Sequence, residues 1–162
     1  MKTSIRLMRE KDISAVQHVA RTSWNATYKG IIPETIQENF INMAYSDVMM
    51  ERRVKNSFLY VAEKDHEIIG FANFSRVKED GEVELSAIYI LPQTQAQGIG
   101  TAMLEKGINE IKGVTKICLN VEEKNVVGKN FYIAKGFRAE STFEEDLDGY
   151  ILKTVRMIKE IR

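Results

Sequence analysis

Apolar positions along the chain follow two periods in turn, one near 3.6 residues and one of two, and their order sets the expected elements. Residues 4–8 read as a short strand. Asp12 then offers an N-cap, and Ile13, Val16, Ala20 and Trp24 recur at helical spacing. The stretch Tyr28-Lys29-Gly30-Ile31-Ile32-Pro33 interrupts this helix, and Pro33 is placed to start a second, with Ile36 and Phe40 on one face. Ser46 or Asp47 caps a third short helix running through Val54.

Beyond this point the period drops to two. Residues 58–63 and 68–74 read as strands joined by the polar turn Lys64-Asp65-His66-Glu67. Asp80-Gly81 signals a second hairpin, leading to a strand over 83–91 that is apolar on both faces towards its end and is therefore expected at the sheet centre. Two adjacent hairpins imply an antiparallel meander. Helical spacing returns from Gly98, with Met103, Leu104, Ile108 and Ile111 as the inward stripe. A strand over 116–121 and a helix over 125–135 follow, the helix closed by Gly136 as a left-handed C′ residue. Strands over 137–143 and 150–158, around an acidic connection, complete the chain. The expectation is a mixed α/β sheet flanked by helices, in one domain over 1–162.

Composition narrows the function. Lys plus Arg number 23 and Asp plus Glu 23, so no overall field favours nucleic acid or an anionic membrane. Hydrophobic residues make up 44% and charged residues 28%, enough for a core without disulfide or metal support. The single Cys118 lies in the run Ile117-Cys118-Leu119 and reads as a buried thiol. His18 and His66 are far apart and suggest no metal site. The start of the chain lacks the apolar core of a signal peptide, and no stretch approaches the ~20 apolar residues of a membrane span, so a cytoplasmic location is expected.

The chemistry centres on residues 85–101. A buried strand ends at Pro92, a short polar loop follows, and Gln95-Ala96-Gln97-Gly98-Ile99-Gly100-Thr101 opens a helix on two glycines. Backbone N–H groups at a helix N-terminus lack intrahelical partners and carry partial positive charge, and glycines let an anion approach them, so the turn suits a pyrophosphate. Taken alone, the segment reads equally as a plain strand–loop–helix connection. It is neither the dinucleotide fingerprint nor a P-loop.

The wider chain resembles the GCN5-related N-acetyltransferase (GNAT) superfamily. In that superfamily a strand ending like Ile88-Tyr89-Ile90-Leu91-Pro92 leads into Gln/Arg-x-x-Gly-x-Gly/Ala, which Gln95, Gly98 and Gly100 match in place. A second block, a strand and an Asn-initiated helix ending in Phe-Tyr and Gly-Phe, matches Leu119-Asn120-Val121, Asn125, Phe131-Tyr132 and Gly136-Phe137. The segment Ser23-Trp24-Asn25-Ala26-Thr27-Tyr28, leading to Ile32-Pro33, is similar to the bacterial polyamine-acetyltransferase-like branch. Gln95 stands where many members have Arg, and Gly128 where many have Ala, which weakens that helix by about 1 kcal/mol.

The resemblance implies a GNAT-like α/β (α+β) fold, a mostly antiparallel sheet of about seven strands with a splay, flanked by about four to five helices. It implies an enzyme in which an amine attacks the thioester of acetyl-CoA directly, with no metal. Tyr132 would protonate the departing thiolate, since a phenol with pKa near ~10 keeps its proton at neutral pH; a core aromatic is the alternative. Backbone N–H groups of Ile88 and Ile90 would hold the acetyl carbonyl and the pantetheine arm, and Gln95, Gln97, Gly98, Gly100 and Thr101 the pyrophosphate. Asn125 is an N-cap that also reaches coenzyme A, or a cap alone.

Glu84 is expected on the face of Ile88 and Ile90, by the period of two, as a general base; a solvated strand-end carboxylate or a water chain are the alternatives. Trp24 and Tyr28 would wall the acceptor site, stacking on an alkyl-ammonium chain, or pack in the core. The run Glu144-Glu145-Asp146 with Asp148 reads as an acidic loop, solvated or drawing a polycation to the entrance. The acceptor is a small amine or polyamine-like metabolite, with a protein N-terminus, a lysine, a drug-like amine or a non-catalytic sensor as alternatives. A homodimer is expected from the superfamily's habit.

Overall fold

A mixed sheet of seven strands organises the chain, in the order β1-β2-β3-β4-β5-β7-β6. The computed structural model describes residues 3–95 and 97–161; Ala96 of the glycine-rich turn lies outside them. The strands are β1 (Ser4–Leu7), β2 (Phe58–Lys64), β3 (Glu67–Phe74), β4 (Glu82–Ile90), β5 (Lys116–Glu122), β6 (Arg138–Leu147) and β7 (Tyr150–Glu160). The helices are α1 (Ile13–Tyr28), α2 (Glu34–Ala44), α3 (Asp47–Asn56), α4 (Ile99–Glu110) and α5 (Val126–Ala134). Every neighbouring pair is antiparallel except β4 and β5, which are parallel.

Local chemistry accounts for most boundaries. Ser46 caps α3 by accepting the Met49 N–H at 3.3 Å, and Asn125 caps α5 by accepting the Gly128 N–H at 3.0 Å. Gly136 follows α5 with φ 95°, where a side chain would be strained. Asp12 behaves differently from expectation. It stands at the N-cap position of α1, but its carboxylate takes the Arg9 N–H and both amino groups of Arg6.

The acidic run is also corrected. Glu144, Glu145 and Asp146 belong to β6, which is exposed on both faces, and the hairpin turns at Asp148-Gly149, both with positive φ.

Two helical layers cover the sheet. α1 buries Val16, Val19, Ala20, Ser23, Trp24 and Tyr28 at helical spacing, and each fully buried branched side chain is worth about 1.5–3 kcal/mol. α4 lies on the other face and buries Met103 and Leu104. Gly107 permits its close approach: a β-carbon there would stand 2.3 Å from the Phe74 ring.

Candidate functional site

β4 and β5 pair only over Glu82–Lys116, Val83–Ile117 and Glu84–Cys118, and then diverge. β4 continues to Ile90 and β5 to Glu122 without pairing with each other, which opens a wedge in the sheet. The Leu91 N–H donates to the Ile69 carbonyl of β3 at 2.8 Å, so by alternation Tyr89 also faces β3, whereas the amides of Ile88 and Ile90 face the wedge. All three residues from Ile88 to Ile90 are only half-buried, although β4 is central. The Ile90 carbonyl accepts the Ser23 hydroxyl at 3.1 Å, docking α1 on this strand end, and the Gln95 side-chain amide at 3.4 Å.

At the tip of the wedge α4 begins. Gly98 is its N-cap, left-handed at φ 76°, with no atom within 4 Å of where a β-carbon would stand. Among the described residues no side chain caps this N-terminus, so the first amides of α4 are unoccupied by the protein. Gln97 is exposed and accepts the Lys64 ammonium at 3.3 Å, while Thr101 is half-buried. Gly100 serves a second purpose: a β-carbon there would meet the Phe131 ring at 3.2 Å and Ile90 at 3.3 Å. These open amides and the unobstructed glycine fit an extended anionic ligand such as the coenzyme's diphosphate.

α5 brings Tyr132 to the wedge. Its ring lies 5.7 Å from Phe137 and 5.4 Å from Phe131, both edge-on, and burial pushes its phenol above the ordinary tyrosine range. The Tyr89 phenol is also raised well above the ordinary range, first by burial and then by the phenols of Tyr28, Tyr45 and Tyr132. Four tyrosines from α1, the α2–α3 junction, β4 and α5 therefore converge, each holding its proton at neutral pH.

Trp24 and Tyr28 do lie together, with ring centroids 4.5 Å apart, but Trp24 also stacks on Phe40 at 4.5 Å and is buried. Beside them, a cleft of about 490 Å³ runs between the α1–α2 loop and Tyr150. The Tyr150 hydroxyl holds the Ile31 carbonyl at 3.0 Å, and the Gln37 amide holds those of Tyr28 and Ile32 at 3.2 and 2.9 Å. A larger open groove of about 580 Å³, between Leu7 and Val77, is remote from the wedge.

One expectation fails. Phe74 pairs with Leu85 and Asn73 with Ala87, so Ser86 is an extra residue in β4 and reverses the alternation. Glu84 consequently does not share the face of Ile88 and Ile90; it lies on the face of Tyr89, under α1. There Arg156 binds it bidentately at 2.8 and 3.0 Å and also holds Asn120 at 2.9 Å. Sequence reasoning passed over Glu122, which is buried at the end of β5 although it sits in the polar run Glu122-Glu123-Lys124. Among the described residues no group of His, Cys, Asp and Glu is arranged to hold a metal ion, and no helix is long and apolar enough to cross a membrane.

The acetyltransferase (GNAT) domain model matches residues 55–139, which include the splayed strand, the helix opening and Tyr132. This chain belongs to the GNAT family. It is an acetyl-CoA-dependent N-acetyltransferase. It is 30% identical over 154 residues to the spermidine N(1)-acetyltransferase of Thermoplasma acidophilum, covering 90% of this chain and 94% of that one. The crystal structure of the PaiA N-acetyltransferase of Thermoplasma acidophilum in complex with coenzyme A superposes with a TM-score of 0.85 at 28% identity, covering 99% of both chains. A ribosomal-protein-alanine N-acetyltransferase from Brucella melitensis shares the fold, with a TM-score of 0.72 at 20% identity over 98% and 99% of the two chains. One GNAT fold thus carries acceptors as different as a polyamine and a protein, and the acceptor has to be argued from the site.

Proposed function

We propose that this GNAT enzyme transfers the acetyl group of acetyl-CoA to a primary amine of a small aliphatic di- or polyamine. The observation that carries this reading is the wedge itself: β4 and β5 part beyond Glu84–Cys118, and the uncapped start of α4 follows the free end of β4. The relative named for spermidine acetylation matches over nearly the whole chain, α1 and α2 included, and supports the same acceptor class.

Acetyl-CoA supplies an activated thioester. The amides at the start of α4, from Gly98 to Thr101, bind the diphosphate, assisted by Gln95 and Gln97. The amides of Ile88 and Ile90 hold the pantetheine arm and polarise the acetyl carbonyl, in a niche where fixed dipoles need no reorganisation. Tyr132, kept protonated by burial, donates to the sulfur as it leaves. Asn125 shapes the start of α5 so that Tyr132 faces the thioester. Tyr28 and Trp24 wall the acceptor side. Glu84 is committed to Arg156 through both oxygens, so proton removal from the amine falls to water in the cleft rather than to this carboxylate. The enzyme acts as a cytoplasmic homodimer in this reading, and light-scattering mass tests the assembly.

Coenzyme A release measured with spermidine, shorter diamines, an arylamine and a peptide bearing an N-terminal alanine tests the reading. The fastest turnover is expected with the aliphatic di- and polyamines. Turnover confined to the peptide would replace the proposed acceptor with a protein.

A further inference from the structure

Glu122 ends β5 inside the wedge, with 8% of its surface exposed. Its Oε2 accepts the Lys124 backbone N–H; among the described residues its Oε1 accepts no hydrogen bond, and no Lys or Arg pairs with it. The basic residues of the neighbouring strand are committed elsewhere, Lys153 to Glu123 at 3.4 Å and Arg156 to Glu84 and Glu82 at 2.8 and 3.7 Å. A buried carboxylate is costly unless a cation or donors compensate it. This one has a single backbone donor.

Its position says where the missing cation comes from. Register pairs Asn120 with Arg156, Glu122 with Thr154 and Glu84 with Cys118, so Glu122 shares the face of Arg156 and Glu84, opposite the α4 side of the sheet. The Glu122 carbonyl accepts the Asn125 N–H at 3.0 Å, which sets Glu122 at the foot of α5, the helix that carries Tyr132. The Tyr28 phenol, raised first by burial, is raised in smaller measure by the Glu122 charge. On the same face Thr154 donates to Glu145 Oε1 at 2.6 Å, adding a second carboxylate. A second acceptor waits at the other end of Tyr28. The Gln37 amide donates to the Tyr28 and Ile32 carbonyls, which fixes its orientation, and leaves Gln37 Oε1 buried, beside the cleft and without a donor.

The geometry points to Glu122 as the anchor for the ammonium of the acceptor that is not acetylated, with Gln37 Oε1 as a further acceptor for the same chain of amines. A fixed carboxylate stabilises the protonated form of an amine held against it. It therefore suits the amine that keeps its proton, and it selects acceptors with at least two amines. This deepens the proposed function and rests on it for the identity of the acceptor, but the binding it describes is measurable without turnover.

Calorimetric titration of spermidine into the coenzyme A-bound protein tests it, comparing wild type with Glu122→Gln and Glu122→Asp. Loss of a charge-assisted contact is expected to weaken spermidine binding by roughly 10- to 100-fold in Glu122→Gln. Coenzyme A affinity should stay unchanged, and Glu122→Asp should bind spermidine within a few-fold of wild type. Equal affinity in wild type and Glu122→Gln, or no spermidine binding by wild type, overturns the anchor. So does a fall in kcat with unchanged spermidine affinity, which would make Glu122 a base. If Glu122→Gln also loses coenzyme A, the charge-conserving Glu122→Asp decides: failure to bind spermidine overturns the proposal. Wild type that binds spermidine in this Glu122-dependent way yet never acetylates it supports the anchor and refutes the proposed acceptor chemistry.

Discussion

Leu85 and Ala87 stand two residues apart in β4, yet they point to opposite faces of the sheet, because their partners Phe74 and Asn73 are adjacent. The extra residue between them, Ser86, lets one strand serve two layers. Below the bulge Glu84 lies beneath α1, while above it Ile88 and Ile90 turn their side chains to α4 and their amides to the wedge.

The bulge makes Glu84 a partner of Arg156, and this has a testable consequence. Glu84→Gln is expected to lower unfolding free energy by about 1–2 kcal/mol, as a charge-assisted pair is lost from a part-buried guanidinium. The pH–rate profile should keep its shape. Disappearance of an acidic limb in the variant would return Glu84 to the role of base.

Tyr132 gives a second prediction. Tyr132→Phe is expected to lower kcat by about 10²–10⁴-fold while leaving coenzyme A affinity within a few-fold. Burial raises the Tyr132 phenol, so no limb of the wild-type pH–rate profile below about pH 10 should belong to it. Unchanged kcat in the variant would remove the residue from the chemistry.

Much of this arrangement is legible in the chain, and the exceptions have physical causes. The helix opening at Gly98, the cap at Asn125 and the left-handed Gly136 follow from residue types suited to those places: glycine enters the left-handed region without strain, and the asparagine side chain accepts a helix-start amide. The bulge at Ser86 left no trace, because apolar and polar positions still alternate through it and no glycine marks it. The run from Glu144 to Asp146 looked like a loop because β6 is solvated on both faces and has no buried side to show. Glu122 lay just past the strand expected over 116–121, in a polar run; the structure extends β5 to include it, paired with Thr154 of β7, a residue far away in sequence.

Packing beneath the site supplies a third test. Gly107→Ala would place a β-carbon 2.3 Å from Phe74, in a ring that is itself fully buried. Overpacking of this kind is expected to cost about 1–3 kcal/mol, read as a lower urea midpoint with an unchanged slope. A gain in stability from the better helix propensity of alanine would contradict the close approach of α4.

Acid sensitivity offers a fourth. Asp12 is held below its ordinary value of 3.8, first by hydrogen bonds from Arg6, against the opposing effect of burial, and then by the Arg9 N–H. A depressed folded pKa contributes stability that is present above the unfolded value and is lost as pH falls through the folded one. The stability gap between wild type and Asp12→Asn should therefore be full at neutral pH and close below about pH 4. A gap that persists into strong acid would show that the Arg6 pair is not its source.

The account depends on open amides in β4 and α4 receiving the coenzyme, and amide NMR spectra recorded as coenzyme A is added test this most directly. The largest shifts, with slowed exchange, are expected at Ile88, Ile90, Ile99, Gly100 and Thr101. Shifts concentrated instead in the groove between Leu7 and Val77, with these five amides unmoved, would contradict it.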